Sequence, residues 1–316
     1  MKALVRKIAR RTPIVGGMLQ NIDDLRAQIR TYQTMKAESS VPQIFPPGHY
    51  YSPVPDPKLV RADAARIFDR NRRHLPGIDM NDEGQLALLD AFAPLVAEND
   101  FPESKIDGQR YYYVNDWYPY GDAICLYSML RHRRPGRICE IGSGYSSAVI
   151  LDVNDRYLGG KMRCTFVEPN PERLLAAVRP DERDRIALIR RPVQEVPVEA
   201  FAELEAGDIL LIDSTHVSKV GSDVNYLFLE VLPTLKPGVA VHVHDVWFPF
   251  EYPPEWIERG IYWNEDYLLR AFLQFNSGFK VIFCNTYMQR FFPAEYEASM
   301  RIQRRGNGGS IWFERR

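Results

Sequence analysis

A glycine turn flanked by acids is the segment whose residue types are best suited to ligand binding. The run ICEIGSGYSS occupies residues 138–147 and joins an apolar stretch to a helical one. Gly142 and Gly144 allow a tight turn and close backbone approach to a ligand, and the helix that follows presents free N–H groups. A G-x-G turn by itself is shared by nicotinamide and flavin enzymes. Glu140 before the turn and Ser147 in place of a third glycine favour a ligand that has no pyrophosphate and carries a cationic group, such as an amine.

A second acid, Glu168, ends the next apolar run. In a parallel sheet this strand end lies beside the glycine turn, where a carboxylate can accept hydrogen bonds from both hydroxyls of a ribose. The open alternative is a solvated acid at a strand terminus. The spacing from Glu140 to Glu168 favours the ribose role.

Acidic and imidazole side chains follow two later apolar runs. Asp213 and His216 follow one of them, and His244 and Asp245 follow the other. Because ligands of open α/β sheets bind at the C-terminal ends of the strands, we expect these four side chains in one crevice. A hydroxyl group is a weak nucleophile, and a histidine with a pKa near 6.5 can take its proton. We predict His216 as the proton acceptor and His244 as the competing candidate, with His242 a core residue.

Alternating strands and helices must position these residues. From about residue 122 onward, short apolar runs separated by helix-length or turn-rich segments predict a parallel sheet covered on both faces. The fold class is therefore α/β, a doubly wound, seven-stranded Rossmann-like sheet with helices on both faces, plus a helical N-terminal extension. The predicted strands are Arg137–Ile141, Cys164–Val167, Ile186–Ile189, Asp208–Ile212, Val239–His244, Phe279–Cys284 and Ser310–Phe313.

The glycine turn and Glu168 together resemble the class I S-adenosylmethionine-dependent methyltransferases. The resemblance covers roughly residues 111–316 and includes DILLID at 208–213 and LPTLKPG at 232–238, which are similar to the family's fourth strand and the turn into its fifth. It implies S-adenosyl-L-methionine as the cofactor and places Gln194 beside the adenine. The cofactor-binding residues that it implies are Glu140, Gly142, Ser143, Gly144, Glu168, Gln194 and Asp213.

The aromatic stretch YYYVNDWYPYGD at residues 111–122 is similar to a segment that folds over the methionine end of the cofactor in this family. Its rings could wall the sulfonium, because a positive charge is attracted to π faces. The alternative is that most of these tyrosines pack against the N-terminal part of the chain.

The D-x-x-H motif at residues 213–216 and the later H-D pair resemble the subfamily of macrolide-sugar O-methyltransferases and cephalosporin hydroxylase-like proteins. The resemblance implies Asp213 and Asp245 as ligands of a divalent metal, Mg or Mn, and His216 as the base that Asp213 orients. The sequence departs from the catechol-type metal enzymes, which have Asn after the second acid where this chain has Val246. Magnesium also prefers an all-oxygen shell, which two carboxylates do not complete.

Residues 1–36 differ from the rest of the chain. Basic side chains surround a short apolar stripe in residues 2–11, and apolar residues at heptad spacing run over residues 18–32. Such a helix packs on its own domain, dimerises or binds a membrane surface, and all three interpretations stay open. Residues 37–110 are predicted to form a Pro-rich strap with accessory helices, and residues 111–316 the S-adenosylmethionine-binding domain.

The composition narrows the classes of function. Lysines and arginines number 40 against 41 acidic residues, and the net charge of −1 offers no global attraction to nucleic acid. The 4 cysteines show no C-x-x-C spacing, which indicates a reduced, cytoplasmic compartment and argues against a zinc site. No apolar stretch approaches the roughly 20 residues of a membrane span, so contact with the inner membrane surface would be peripheral, through the N-terminal segment.

These observations predict a methyltransferase that uses S-adenosylmethionine to methylate a hydroxyl of a small-molecule or glycan acceptor, with a histidine taking the proton. Two alternatives stay open. An N-methyltransferase needs less help from a base, and a partner protein could bind S-adenosylmethionine without turnover. Glu140 and Ser147 disfavour a nicotinamide oxidoreductase.

Overall fold

The computed structural model describes residues 44–179, 182, 186–301, 306 and 308–316. Contacts between residues divide the chain into two compact units, Met1–Asp56 and Pro57–Arg316. The division falls inside the predicted strap, so the accessory helices after Asp56 belong to the same unit as the sheet. The helices predicted for residues 1–36 lie outside the described residues.

All seven predicted strands are present, and their ends differ from the predicted ones by at most two residues. Short, mostly apolar runs define them because a strand buried on both faces has few polar positions to interrupt its pattern. The strands are β1 (Arg137–Ile141), β2 (Arg163–Val167), β3 (Ile186–Ile189), β4 (Ile209–Ile212), β5 (Ala240–His244), β6 (Phe279–Cys284) and β7 (Ser310–Arg315).

The strands form one mixed sheet in the order β3-β2-β1-β4-β5-β7-β6. Neighbouring strands from β3 to β5 are parallel, whereas β7 is antiparallel to both β5 and β6. This confirms the predicted α/β sheet of five parallel strands and a terminal pair. Ile141 of β1 is in register with Val167 of β2 and Ile212 of β4. The residues that follow these three strands therefore meet at one edge of the sheet.

Helices cover the sheet, and every residue of β4 and β5 is buried. The segment after β4 is irregular, because the helix begun at Asp223 continues as a π-helical turn over Leu227–Val231 and a 3₁₀ turn over Leu232–Thr234. The α-helices are α1 (Pro57–Ala62), α2 (Ala64–Ile67), α3 (Asp82–Ala97), α4 (Tyr120–Arg133), α5 (Tyr145–Tyr157), α6 (Glu172–Ala177), α7 (Asp223–Tyr226), α8 (Pro254–Glu258), α9 (Glu265–Leu273), α10 (Asn285–Phe291) and α11 (Pro293–Met300). Within the part of the chain that the structure describes, none of the helices is long and apolar enough to cross a membrane.

Candidate active site

The glycine turn after β1 owes its shape to one close backbone approach. Gly142 has a φ of +80°, in the left-handed region that favours glycine. A Cβ atom added there would lie 1.8 Å from the carbonyl oxygen of Asp213, which follows β4. Gly144 has an extended backbone with a φ of −176°, and its added Cβ would meet the side chain of Arg173 at 3.0 Å. Of the two glycines, Gly142 is the one that the backbone requires.

Glu168 closes the glycine turn from the end of β2. Its Oε2 accepts a hydrogen bond from the backbone N–H of Ser143 at 3.0 Å, and its Oε1 accepts one from the N–H of Asn170 at 2.7 Å. The Oγ of Ser143 is buried and has no hydrogen-bond partner among the described residues. The turn therefore presents the half-buried carboxylate of Glu168 to any ligand beside it.

Glu140 lies beneath the turn and is fully buried. The hydroxyl of Ser147 donates a hydrogen bond to its Oε2, while its Oε1 has no partner within the described residues. Burial raises the pKa of Glu140 to about 8, against the opposing hydrogen bonds of Ser146 and Ser147. Contact between Glu140 and a cationic group of a ligand stays a prediction, because other residues of the turn line the neighbouring cavities.

Two adjoining cavities follow the C-terminal edge of the sheet. One, of about 300 Å³, is lined by Gly142, Glu168, Asp213 and His216 among others. The second, of about 410 Å³, shares the first three of these residues and extends to Gln194. We call the two together the inner groove. The predicted ligand residues of three different strand ends therefore border one continuous space.

The cluster of Asp213, His216, His244 and Asp245 lies at this edge. The Nε2 atom of His216 is 3.4 Å from Oδ1 of Asp213 and 3.6 Å from Oδ2 of Asp245. The Nδ1 atom of His244 is 3.2 Å from Oδ1 of Asp213 and 3.7 Å from Oδ1 of Asp245. The structure thus brings together the four side chains that the sequence predicted to share a crevice. His242 is buried against Trp312, as expected of a core residue.

Two buried carboxylates stand behind the imidazoles, and the sequence did not indicate either. Oε2 of Glu265 lies 2.8 Å from Nδ1 of His216, and Oδ2 of Asp122 lies 3.4 Å from Nε2 of His244. A carboxylate that contacts one ring nitrogen fixes the orientation of the imidazole and directs the other nitrogen away from the carboxylate. Both acids occupy the first turn of a helix, where an acid is ordinarily a surface residue that favours the helix dipole. The sequence therefore offered no reason to distinguish these two acids from ordinary surface residues.

The charges of the cluster balance one another. Burial opposes the charge of His216, but hydrogen bonds to Asp213 and Glu265 outweigh it and raise the pKa of His216 to about 10. Burial likewise opposes the charge of His244, and Asp245 and Asp213 raise the pKa of that imidazole. Burial would raise the pKa of Asp213, but both imidazoles hold it well below its usual range. Burial raises the pKa of Asp245 to about 6. Without ligand, the surrounding carboxylates therefore favour the protonated form of both imidazoles.

Backbone strain is concentrated in the same cluster. His216 has a φ of +59° and Asp245 a φ of +56°, in the left-handed region that costs a residue with a Cβ about 1–3 kcal/mol. The loop before His216 is fixed by Asp223, whose carboxylate accepts hydrogen bonds from the N–H of Thr215 at 2.9 Å and from its hydroxyl at 2.6 Å. This turn directs His216 back toward the sheet. Strain held in place by surrounding contacts is typical of functional sites.

A larger cavity, of about 800 Å³, opens beyond the cluster, and we call it the tryptophan cavity. It shares Trp117, Trp263, His244 and Asp245 with the inner groove. The two spaces therefore meet at the cluster. The tryptophans that line the cavity are Trp117, Trp247, Trp256 and Trp263.

Residues of the aromatic stretch before β1 lie in two places, some beside the inner groove and some in the core. Trp117 and Tyr118 line the inner groove, and the ring of Tyr118 lies 4.9 Å from that of His244. Tyr111 and Tyr113 are buried in the core instead. The burial of Tyr111 and Tyr113 favours a packing role for these two residues, and a wall around the sulfonium formed by Trp117 and Tyr118 stays a prediction.

The sequence of residues 139–246 matches a family described as a methyltransferase domain. The match runs from β1 to the residue after Asp245 and includes the glycine turn, Glu168 and the whole cluster. Residues 139–246 of the chain therefore belong to a family of methyltransferase domains. A protein of unassigned function from Archaeoglobus fulgidus is 36% identical to this methyltransferase over 191 residues, which are 60% of this chain and 84% of the relative.

Solved structures similar to this methyltransferase include two enzymes of the same cofactor class. One is an O-methyltransferase of tomaymycin synthesis from Streptomyces achromogenes in complex with S-adenosylmethionine, at 15% identity over 81% of this chain and 94% of that chain, with a TM-score of 0.39. Another is a Podospora anserina methyltransferase bound to S-adenosylhomocysteine, at 16% identity over 61% of this chain and 77% of that chain, with a TM-score of 0.39. Likenesses at this level leave the acceptor of this methyltransferase unassigned.

The predicted cofactor residues of the methyltransferase fall in two places. Glu140 lies beneath the turn, and its role and those of the residues in the groove stay predictions. The other predicted cofactor residues line the inner groove, and they are Gly142, Ser143, Gly144, Glu168, Gln194 and Asp213.

Proposed function

We propose that this methyltransferase transfers a methyl group to a hydroxyl of a small-molecule or glycan acceptor and that His216 accepts the proton. The observation that carries the proposal is the meeting of the two spaces at the cluster, where His244 and Asp245 line both. A cofactor in the inner groove and an acceptor in the tryptophan cavity would meet there. His216 lines the groove side of the same junction.

The inner groove fits S-adenosylmethionine. Gly142 lets the turn pack directly against the carbonyl of Asp213 at the end of β4, so that Gly142, Ser143 and Gly144 all line the first cavity. Glu168 has the position and charge to accept hydrogen bonds from a ribose, and Gln194 borders the far end, where the adenine would lie. These features support the assignment of the methionine end to the glycine turn and of the nucleoside to the second cavity.

Glu168→Ala is expected to weaken S-adenosylmethionine binding by about 1–3 kcal/mol, the scale for leaving hydrogen-bonding partners unpaired. The substitution removes the ribose acceptor and also frees the N–H of Ser143 that shapes the turn. Isothermal titration with S-adenosylmethionine measures the loss. Glu168→Gln keeps one acceptor oxygen, so its affinity is expected to lie between those of the wild-type protein and Glu168→Ala. Unchanged affinity in Glu168→Ala would contradict the ribose assignment.

The residues of the cluster can assist an in-line displacement. When bound, S-adenosylmethionine supplies an electrophilic methyl group on a sulfonium. The acceptor hydroxyl gives its proton to Nε2 of His216 as its oxygen bonds to the methyl carbon, leaving S-adenosylhomocysteine. Glu265 on Nδ1 directs that nitrogen to the reacting group. The sulfonium would share the negative charge of Asp213, and so weaken the hold of Asp213 on the imidazole proton, which frees His216 to act as a base.

The cluster does not fit a magnesium ion as it stands. Asp213 and Asp245 direct their oxygens at imidazole nitrogens, whereas magnesium prefers an all-oxygen shell. In the described ranges, no group of three or more His, Cys, Asp and Glu side chains is arranged to hold a metal ion. No step of the proposed reaction passes through a metal, and the prediction that Asp213 and Asp245 hold Mg or Mn stays a prediction.

Turnover is expected to survive dialysis against a chelator, because the two imidazoles already balance the acidic charges of the cluster. The measurement is the initial rate of methyl transfer before and after treatment, with magnesium or manganese then added back. Loss of the rate on chelation, and its return with either ion, would instead assign Asp213 and Asp245 as metal ligands.

The proposed function is tested by methyl transfer from tritiated S-adenosylmethionine to a panel of sugars, glycosides, phenols and amines. We expect label in hydroxyl acceptors, and mass spectrometry of the product to locate it in a methyl ether. Label confined to amines would replace the proposal with N-methylation. Cofactor binding without transfer to any member of the panel would favour the non-catalytic alternative.

Removal of residues 1–36 is expected to leave cofactor binding intact while abolishing self-association or attachment to anionic membrane surfaces. The basic amphipathic stripe motivates this prediction, and the compact unit Pro57–Arg316 contains the whole site. Light scattering of full-length and truncated protein, with co-sedimentation on anionic and neutral vesicles, measures both properties. If the two proteins have the same association state and neither binds anionic vesicles, the segment has neither role.

A further inference from the structure

The wall of the tryptophan cavity carries charged groups of both signs as well as aromatic surface. The acids Asp122 and Asp245 lie near its junction with the inner groove, beside His244, and Asp116 also lines it. Three arginines complete the charged lining: Arg70, Arg259 and Arg290. The reaction proposed above uses none of these arginines. Guanidinium groups that face a cavity are suited to bind carboxylates or phosphates, because their planar forks match both groups.

Arg70 and Arg290 are held close to each other. Nη1 of Arg70 donates to the carbonyl of Phe248 at 3.2 Å, and the guanidinium of Arg290 donates to the side chain of Asn71, the residue after Arg70. Burial lowers the pKa of Arg70, whereas the charges of Glu255, Asp266 and Glu251 oppose this effect and that of Arg290 adds to it. Hydrogen bonds to neighbouring polar groups thus fix both guanidinium groups, and both residues line the cavity.

These arginines lack the partners that neighbouring arginines have. Arg61 pairs with Glu258 at 2.6 Å, and Arg73 pairs with Asp82 at 2.7 Å. Among the residues that the structure describes, the three arginines of the cavity make no ion pair with a carboxylate within 4.0 Å. Their charge is therefore available to a ligand.

The aromatic wall of the cavity is continuous. The ring of Trp256 lies 4.6 Å from that of Trp247 and 4.9 Å from that of Trp263, both nearly edge to face. Such a wall can stack a sugar or aromatic ring, and the cavity volume of about 800 Å³ is in the range that encloses a molecule of two or more rings.

We propose that the acceptor is a ring-bearing oxyanion, a molecule with a carboxylate or phosphate beside the ring that carries its hydroxyl. This inference rests on the proposed function, because it takes the tryptophan cavity as the acceptor site. The oxyanion binds Arg70 and Arg290, and the ring lies against the tryptophans. The hydroxyl then reaches the junction at His244 and Asp245, where His216 on the groove side takes its proton. The arginines thus select the acceptor by charge and set which hydroxyl meets the methyl group.

The test compares acids with neutral partners of the same shape on protein saturated with S-adenosylhomocysteine. Phenyl β-D-glucuronide is paired with phenyl β-D-glucoside, and glucose 1-phosphate with glucose, in calorimetric titrations at low salt. At least one acid is expected to bind about tenfold or more tightly than its partner, the scale of charge-assisted hydrogen bonds. A preference within the first pair indicates a carboxylate, and one within the second a phosphate.

Arg70→Gln and Arg290→Gln should each remove this preference while S-adenosylhomocysteine still binds. Arg61→Gln, which removes a nearby paired arginine outside the cavity wall, should retain it. Equal binding of acid and neutral partner, binding of neither acid, or an unchanged preference in both cavity variants would overturn the inference. Acids that bind through Arg70 but receive no methyl group would leave the inference standing and contradict the proposed function, whereas methyl transfer to neutral acceptors alone would do the reverse.

Discussion

His216→Ala is expected to lower kcat by about 10²–10⁴, the usual contribution of a positioned general base. The Nε2 atom of His216 lies 3.6 Å from Oδ2 of Asp245, which lines both the inner groove and the tryptophan cavity. Glu265 holds the ring from its other nitrogen. The substitution removes the proton acceptor but leaves the glycine turn and Glu168 in place. Affinity for S-adenosylmethionine, measured by titration, should therefore stay nearly unchanged while single-turnover methyl transfer slows.

His244→Ala is the decisive comparison, because His244 reaches the same junction from β5. Near-normal turnover in His216→Ala with a collapse in His244→Ala would transfer the role of base to His244. Near-normal turnover in both variants would mean that placing the acceptor beside the methyl group is sufficient for catalysis. His132→Ala serves as a control, because His132 lies at the C-terminal end of α4 and lines neither the inner groove nor the tryptophan cavity.

The pH dependence of the same pair of proteins tests the charge state of the base. The groups that face His216 are Asp213, Asp245 and Glu265, and their combined effect outweighs burial and raises the pKa of the imidazole to about 10. Only the neutral imidazole accepts a proton, so the active fraction increases as the pH rises toward that pKa. We expect kcat/KM for S-adenosylmethionine, which reports the pKa values of the ligand-free protein, to rise between about pH 7 and 9 in the wild-type protein. The kcat/KM of His216→Ala should lack this rise. A plateau in the wild-type protein from pH 7 onward would contradict it.

Gly142→Val is expected to weaken S-adenosylmethionine binding by at least about 100-fold, roughly 3 kcal/mol, through strain and steric overlap at one position. A side chain there must adopt a φ near +80° and place its Cβ 1.8 Å from the carbonyl oxygen of Asp213. The turn or the end of β4 must move, and both border the inner groove. Titration with S-adenosylmethionine measures the loss, and circular dichroism shows whether the fold persists.

Gly207→Val separates backbone strain from the steric overlap. Gly207 also has a positive φ, of +92°, but an added Cβ there meets nothing within 4 Å. This variant should lose stability while binding S-adenosylmethionine normally. Equal losses of affinity in Gly142→Val and Gly207→Val, or normal affinity in a folded Gly142→Val, would show that the close approach at Gly142 does not shape the cofactor site.

The sheet could be predicted from the sequence because its signal is local. Each parallel strand is a mostly apolar run, and β4 and β5 contain only buried residues, so their positions stand out without tertiary information. The segment after β4 was harder, since its π-helical turn over Leu227–Val231 depends on packing that no local pattern encodes. The division of the chain at Asp56 likewise depends on contacts of distant residues.

The site was predictable where strand ends supply it. Asp213 and Asp245 directly follow β4 and β5, so parallel topology alone places them together. Glu265 lies 49 residues from His216 in the sequence, and only the packing of α9 brings its carboxylate to the ring. Glu140 was predicted from its spacing to the glycine turn. That spacing did not show that its side chain is fully buried beneath the turn. The left-handed backbone of His216 was equally invisible, since neither its residue type nor its neighbours announce it.

Calorimetric titration of the full-length protein with S-adenosylmethionine, S-adenosylhomocysteine and NAD, in parallel, tests the central claim most directly. The glycine turn, the close approach at Gly142 and the acid at Glu168 predict that both methionine-derived ligands bind at one site per chain and that NAD does not. Glu168→Ala and Gly142→Val should weaken the binding of both ligands in parallel. Binding of NAD, or the absence of heat with either methionine-derived ligand from folded protein, would contradict the account.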